Sequence, residues 1–310
     1  MVYTWVDGSD PIWREKKERV LKELYGKVNI DTSAASPSRF NSRDELKYSL
    51  RSVSMYAPFI RKVYLVTDEQ VPPWLDSNNE RLIVVSHRDM FSSYIRRPTF
   101  SSRVIESQVH HIPGLSEHFL FMNDDIFFAG PVSPFHFFTR NGKAKFFPSA
   151  TLLPAGEVGP SDTPVTAAGK NVRDLMYRDF GRVIRHMIAH APYAQTKSLL
   201  QELENVYRDE FRRTALHQFR SLEDIKVPSL LYQYYGYYTR RTVPAFLRYA
   251  VVNINESGYE QRIKERLLKK RYDTFCLNES SNPVVPVEPD DSFIRGFLEN
   301  MFPRKSEFEI

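Results

Sequence analysis

Four short runs of apolar, β-branched or aromatic residues each break off at a polar group. They are Val2 to Val6 before Asp7, Val63 to Val66 before Thr67-Asp68, Leu82 to Val85 before Ser86-His87, and Phe119 to Met122 before Asn123-Asp124-Asp125. Continuous apolar runs of this length, bounded by turn residues, predict strands buried on both faces. Helical periodicity lies between them: Leu46, Leu50 and Val53 share a face behind Asp44-Glu45, and Val104, Ile105, Val109 and Ile112 share one behind the cap candidates Ser101-Ser102. Alternating strand and helix predicts an α/β fold with a mostly parallel, Rossmann-like sheet. Ligands of such sheets collect at the carboxyl ends of the strands, where Asp7, Asp68, His87 and the Asn123-Asp124-Asp125 group would stand.

The alternation dissolves from Pro148 to Thr166 into Pro, Gly, Ser and Thr, a composition that marks a lid or a boundary. The expected organisation is therefore an α/β portion over 1–148, a flexible loop or lid over 149–166, and a mainly helical portion over 167–310 that completes the site. In that last portion Val172 to Ile188 and Tyr193 to Tyr207 read as helices, followed by an aromatic run from Leu230 to Tyr238 and a basic amphipathic segment from Tyr259 to Arg271. With 310 residues, 14% aromatic and 26% charged, the chain can bury a large core and is not a disordered polypeptide. The net charge of +5 suits anionic small substrates or a membrane surface as well as nucleic acid. Cys276 is the only cysteine, which excludes an intramolecular disulfide and a cysteine-based zinc site and fits a reducing compartment. The sequence shows no basic leader with an apolar core and no run of about 18 apolar residues. Since its first residues already form a strand with a motif, the expectation is a catalytic core whose anchor lies outside it.

The turn Asp7-Gly8-Ser9-Asp10-Pro11 sets two carboxylates three residues apart before a helix start, an arrangement that serves capping and function equally well. Asn123-Asp124-Asp125 is more pointed, because adjacent carboxylates directly after an apolar strand disfavour stability and favour holding a hard divalent cation against a diphosphate. His186 and His190 are spaced as zinc ligands on one helical face, but Met187 stands where a metalloprotease requires glutamate, and zinc hydrolysis is rejected. P-loop, dinucleotide and serine-hydrolase signatures are absent. The run Tyr232-Gln233-Tyr234-Tyr235-Gly236-Tyr237-Tyr238 is better read as core packing than as a stacking platform for sugars or nucleic acid. The basic segment Lys264 to Arg271 has the charge to touch phosphates or anionic lipid, although most such faces are simply solvated.

Taken together, these motifs resemble the Stealth family of sugar-1-phosphate transferases, which includes bacterial capsule polymerases and the catalytic part of N-acetylglucosamine-1-phosphotransferase. The resemblance rests on Val2 to Pro11, on Arg39-Phe40 through Ser52 continued by Pro98-Thr99-Phe100-Ser101-Ser102, Glu106 and Asn123-Asp124-Asp125, on His190-Ala191-Pro192-Tyr193 to Lys197 with His217-Gln218-Phe219-Arg220, and on Phe275-Cys276-Leu277-Asn278. Arg97, the spacer Asn41-Ser42-Arg43, and Glu279 after Asn278 depart from the usual pattern. The resemblance implies a glycosyltransferase-A-like fold and transfer of hexose-1-phosphate, as N-acetylhexosamine-1-phosphate, from a UDP-sugar to a hydroxyl of a sugar or growing glycan, with release of UMP. It places the protein in capsule or exopolysaccharide synthesis, with a nucleotide-sugar and a glycan as partners and no nucleic acid. The alternative is a metal-dependent glycosyltransferase that attacks the anomeric carbon and releases UDP. By the same resemblance His190, Arg220 and Asp125 are catalytic, Asp124, Asp125 and Asn278 hold Mg²⁺ or Mn²⁺, and Trp5, Asp7, Gly8, Asp10, Arg43, Asp44, Glu45, Thr99 and Ser101 line the donor pocket. A cytoplasmic enzyme, peripheral at the inner membrane, follows for a bacterial member; a lumenal core follows for a secretory-pathway one.

Overall fold

The computed structural model describes residues 1–24, 26, 30–36, 39–280 and 283–310. Its strands, in chain order, are β1 Val2–Thr4, β2 Val63–Thr67, β3 Leu82–Ser86, β4 His118–Asn123, β5 Ile126–Phe128, β6 Ala144–Phe146, β7 Pro148–Leu152, β8 His186–Ile188, β9 Tyr193–Thr196, β10 Thr242–Pro244, β11 Tyr249–Asn253 and β12 Thr274–Asn278. The four apolar runs of the sequence become β1 to β4, which form a parallel sheet with β9 added antiparallel at one edge, in the order β3-β2-β1-β4-β9. From β1 the chain winds outward to β2 and β3 on one side and returns to β4 on the other. The order therefore reverses between β1 and β4, where open α/β sheets form their crevices. Leu46, Leu50 and Val53 are fully or nearly fully buried on the helix Glu45–Tyr56, as their spacing predicts.

A second sheet, β11-β12-β5, joins the first through the two-residue turn Asp124-Asp125 between β4 and β5. The Leu277 amide donates to the Asp125 carbonyl at 3.0 Å, tying β12 to that turn.

Several C-terminal elements differ from the helices that the sequence suggests. Val172 to Ile188 divides into the end of the helix Pro164–Phe180, a left-handed stop at Gly181, and β8. Tyr193 to Tyr207 divides into β9 and the helix Lys197–Val206. Local propensity loses here to tertiary pairing, since β9 completes the sheet by bonding along β4. The stretch after Phe147 opens as β7, which pairs with β8, and the residues beyond are tied down by Lys170, whose Nζ donates to the Glu157 carbonyl at 2.9 Å and to Asp162 Oδ2 at 2.8 Å. One hydrophobic core runs through both portions, from Val2 and Leu65 to Val172, Leu200 and Tyr232.

The tyrosine run is the helix Tyr232–Tyr238, in which Tyr232, Tyr234 and Tyr235 pack as core with satisfied tips while Tyr237 is exposed. The Tyr232 hydroxyl accepts from the Thr196 amide at 2.7 Å, and the Tyr234 hydroxyl donates to the His186 carbonyl at 2.8 Å. Among the described residues no helix is long and apolar enough to cross a membrane.

Gly8 shows how closely the first turn is packed. Its amide donates to the Phe40 carbonyl at 2.8 Å, and a Cβ built on it would stand 2.5 Å from that oxygen and 2.7 Å from the Phe40 Cβ. Phe40 in turn packs with Trp13, Phe100 and Phe219. Gly8→Ala is expected to displace the 39–43 segment and cost about 1–3 kcal/mol, the usual range for overpacking. Denaturant unfolding of the variant checks this.

Candidate active site

A cavity of about 560 Å³ opens at the carboxyl ends of β1, β2, β4 and β12. Thr4, Trp5 and Val6 extend from β1, Asp68 follows β2, Asn123, Asp124 and Asp125 close β4, and Asn278 ends β12. The opposite wall comes from the helix Ser102–Ser107, from the link between β8 and β9 that carries His190, and from the segment holding Arg220, Lys226 and Ser229. The cavity thus has an acidic wall at the junction of the two sheets and a basic wall facing it.

On the acidic side, Asp125 has one oxygen engaged and one bare. Its Oδ2 accepts a weak bond from the Cys276 thiol at 3.3 Å, whereas its Oδ1 is buried with no hydrogen-bond partner among the described residues. Burial, reinforced by the nearby Glu45 carboxylate, pushes Asp125 up to about 7 despite the opposing thiol contact. Asp124 is raised well above the ordinary carboxylate range by burial, by Asp125 and by Glu45. A raised carboxyl pKa means that ionisation inside this pocket is costly until a cation arrives. Asn278 accepts the Ile254 amide on its main-chain carbonyl at 2.9 Å and donates its Nδ2 to Asn253 Oδ1 at 2.7 Å, while its side-chain Oδ1 has no hydrogen bond among the described residues. Two carboxylates, one with an orphaned oxygen, beside an amide oxygen form an all-oxygen donor set that suits Mg²⁺ or Mn²⁺. Glu279 is engaged elsewhere, in an ion pair with Arg43, whose Nε also donates to Asp291 Oδ1 at 2.5 Å.

The basic side brings Arg39, Arg103, Arg220 and Lys226 around His190, with Glu106 as the carboxylate among them. Arg103 Nη1 lies 3.0 Å from Glu106 Oε2, and Arg220 Nη2 donates to Ser102 Oγ at 2.6 Å. The Nε of Arg103 and the hydroxyl of Ser229 are buried with no partner among the described residues. Burial together with Lys226 and Arg103 lowers His190 to about 4, so its imidazole is neutral across the physiological range. The ring opens onto the cavity, where His190 keeps an exposed surface.

Of the residues expected at the site, His190, Arg220, Asp124, Asp125, Asn278, Trp5, Arg43, Glu45 and Thr99 line the cavity. Asp7, Gly8, Asp10, Asp44 and Ser101 stand behind its wall. Asp7 Oδ1 accepts from the Ser9 amide and hydroxyl at 2.8 and 2.6 Å, and Asp10 Oδ1 caps the helix Pro11–Leu24 through the Ile12 amide at 2.8 Å. Asp44 adopts a left-handed conformation, φ 66°, just before its helix, and the buried Ser101 amide donates to Thr99 Oγ1 at 3.2 Å. Among the charged residues that line the cavity, Arg103 and Lys226 are the two that sequence reasoning passed over. Each had a signal: a charged residue set among apolar neighbours, Arg103 beside Val104-Ile105 and Lys226 between Ile225 and Val227.

His110, His111 and Glu204 also converge, but outside this cavity. Glu204 Oε2 lies 2.7 Å from His110 Nε2 and 2.8 Å from His111 Nε2. These are hydrogen-bond lengths, shorter than the roughly 3.3 Å that separates two ligands of a tetrahedral ion with bonds of about 2 Å. His186, far from sharing a helical face with His190, sits in β8 with Nδ1 2.9 Å from the Ser149 carbonyl.

The fold and site define an α/β protein with a ligand cavity of divided charge at the switch point of a parallel sheet. Four family models match in order: Stealth protein conserved region 1 over residues 1–25, region 2 over 39–146, region 3 over 189–237 and region 4 over 265–310. The chain belongs to the Stealth family. Among its relatives are the exopolysaccharide phosphotransferases SCO2592 and SCO6023 of Streptomyces coelicolor, 42% and 41% identical over 99% and 100% of this chain, and CpsY of Mycobacterium tuberculosis, 39% identical over 100% of it. The chain spans 32%, 52% and 57% of those relatives' lengths. A crystal structure of the galactosyltransferase LgtC with donor and acceptor sugar analogues aligns over 86% of this chain and 94% of its own, with a TM-score of 0.41 and 9% identity, a distant likeness on which no residue role rests.

A stability test follows from the acidic wall. Asp125 has a folded pKa of about 7 against an ordinary aspartate value of 3.8, so between those values the unfolded chain has already released a proton that the folded chain keeps. Stability of the metal-free protein therefore falls as pH rises through that window. Asp125→Asn removes the cost at nearly constant volume. In the presence of a chelator it should melt above the wild type at pH 8 and converge with it near pH 4, as followed by circular dichroism.

Proposed function

We propose that this chain is the catalytic part of a sugar-1-phosphate transferase that moves N-acetylhexosamine-1-phosphate from a UDP-sugar to a hydroxyl of a sugar or growing glycan and releases UMP, in exopolysaccharide or capsule synthesis. The supporting observation is the divided cavity, lined on one side by Asp124 and Asp125, one oxygen of the latter lacking a partner, and on the other by cations around a neutral imidazole. Such a pair of walls suits a diphosphate, one side through a metal ion and the other directly.

In this reading Asp124, Asp125 and Asn278 hold Mg²⁺ or Mn²⁺, which when bound neutralises phosphate charge and steadies the leaving nucleotide. Arg220, already oriented by Ser102, forks onto oxygens of the phosphate attached to the sugar. The acceptor hydroxyl attacks that phosphorus and the bridge to the nucleotide breaks, with UMP carrying away the bonding electrons. Neutral His190 accepts the hydroxyl proton and returns it to solvent. Trp5, Arg43, Glu45 and Thr99 shape the donor side, while Asp7, Gly8, Asp10, Asp44 and Ser101 position it from behind. The 149–166 segment acts as the cover of the bound donor, with Thr163 and Thr166 at its far end contributing to the cavity wall. The basic amphipathic stretch around Lys264 to Arg271 gives the protein a peripheral contact with an anionic membrane surface.

Incubation with UDP-N-acetylglucosamine and a glycan acceptor, followed by chromatography of the nucleotides, should yield UMP. UDP as the product would replace this reading with attack at the anomeric carbon. Chelation should abolish turnover and Mg²⁺ or Mn²⁺ restore it; full activity in excess EDTA would remove the metal from the scheme.

The two basic-wall residues are tested separately. His190→Ala should lower the single-turnover rate about 10²- to 10⁴-fold with donor binding retained. Arg220→Lys should also lose most activity, because an ammonium cannot fork onto two oxygens. Unchanged turnover per folded molecule, with a lower melting temperature, would make both residues structural.

A further inference from the structure

Lys226 is only 7% exposed and lines the cavity, and its side-chain amine has no hydrogen bond or ion pair among the described residues. It sits at the entry to a π-helical turn, Val227–Leu231, in which the Leu231 amide donates to the Lys226 carbonyl at 2.8 Å. Widened turns of this kind re-aim side chains and recur at functional positions. The charged groups facing its amine are His190 from the β8–β9 link, Arg103 and Glu106 from the helix Ser102–Ser107, and Arg220. Glu106 already pairs with Arg103 at 3.0 Å, so the amine lacks a counter-ion of its own. The partnerless Arg103 Nε and Ser229 hydroxyl belong to the same wall.

A buried ammonium without an anion is among the costliest groups a fold can carry, and it relieves the cost by losing its proton. We propose that Lys226 is a further phosphate-contacting residue of this cavity, neutral when the cavity is empty and protonated from solvent when an anionic phosphate binds beside it. The proposal rests on the reading of this cavity as a phosphate site. The balance is one proton taken up per anion bound, with no bond made or broken. Burial, with Arg103 adding to it, lowers the Lys226 amine to about 7, which agrees with the geometry. Because the arriving anion raises that value again, binding and proton uptake are linked, and affinity should weaken as pH rises from 7 to 9. The arrangement makes the basic wall self-adjusting: it carries less positive charge while empty than its residue types imply.

Calorimetric titration with UDP-N-acetylglucosamine, without acceptor, into protein already saturated with Mg²⁺, so that proton release from Asp124 and Asp125 on metal binding precedes the titration, tests this at pH 8 in two buffers of different ionisation enthalpy. Wild type should take up about 0.9 proton per site, since a group with a pKa near 7 is roughly nine-tenths deprotonated there. At pH 6 the uptake should fall to about 0.1. Lys226→Met should bind more weakly, with no uptake and little pH dependence, while Lys226→Arg, permanently charged, should bind without uptake. Sulfate, which does not titrate in this range, serves as a second probe. Lys226-dependent uptake with sulfate but no binding of the nucleotide-sugar would keep the anion site and overturn the donor assignment. No proton exchange in the wild type with either probe, or equal exchange in Lys226→Met, would overturn the proposal.

Folding is not the obstacle, because removing a buried amine with a lowered pKa should stabilise the empty protein. Lys226→Met is expected to melt above the wild type at pH 6 without ligand. The gap should narrow as pH rises above 7 and close only above about pH 10.5, where the unfolded lysine also loses its proton.

Discussion

Two adjacent carboxyl groups at a buried turn cannot both be charged without a counter-charge, and the architecture is arranged around that constraint. Asp124 and Asp125 are the entire link between β4 of the parallel sheet and β5 of the smaller one. The turn is fixed from the far side by the Leu277 amide and the Cys276 thiol of β12. A potential counter-charge on the same cavity wall, Arg43, is committed to Glu279 and Asp291. The fold thus keeps that cation away from the aspartates and leaves the Asp125 Oδ1 bare. The opposite wall mirrors this arrangement, with cations in excess of carboxylates around a neutral imidazole. Opposite charges that would satisfy each other if they met are held apart by a cavity, and a ligand that joins them gains from both.

Burial sets the chemical state of each wall more than contact does. Desolvation is the leading cause of the raised Asp124 and Asp125 and of the lowered His190, Arg220 and Lys226. The shifts run in the same sense, each favouring the neutral form in the empty protein. A partly desolvated cavity makes electrostatic contacts stronger than they are in open water when substrate charge enters.

The parallel sheet was legible in the sequence because the inner parts of β1, β2 and β4 are buried on successive residues and read as unbroken apolar runs. The Asp124-Asp125 pair was legible for the converse reason, as charge placed where such a run should have continued. The strand β9 was not, because Tyr193-Ala194-Gln195-Thr196 is too short and mixed to betray a strand and takes its form from bonding to β4. His190 was found by resemblance, not periodicity, which had assigned it to a helix. Asp7 and Asp10 illustrate the limit of motif reading: a carboxylate can belong to the family pattern and still spend its oxygens on a turn or a cap. Lys226 required the structure, since a lone lysine within an apolar stretch is equally consistent with an amine that reaches solvent.

The antiparallel strand β9 carries a consequence for how the molecule came to be assembled. It closes the edge of the sheet that bears the aspartates, and the link leading into it bears His190. Likewise β12 closes the second sheet through β5 and ends at Asn278. The later half of the chain is therefore no appendage to a self-sufficient nucleotide-binding module. Each half supplies the other with an edge strand and a reactive wall, so neither could have been acquired, exchanged or discarded as a cassette while the other kept both its shape and its chemistry.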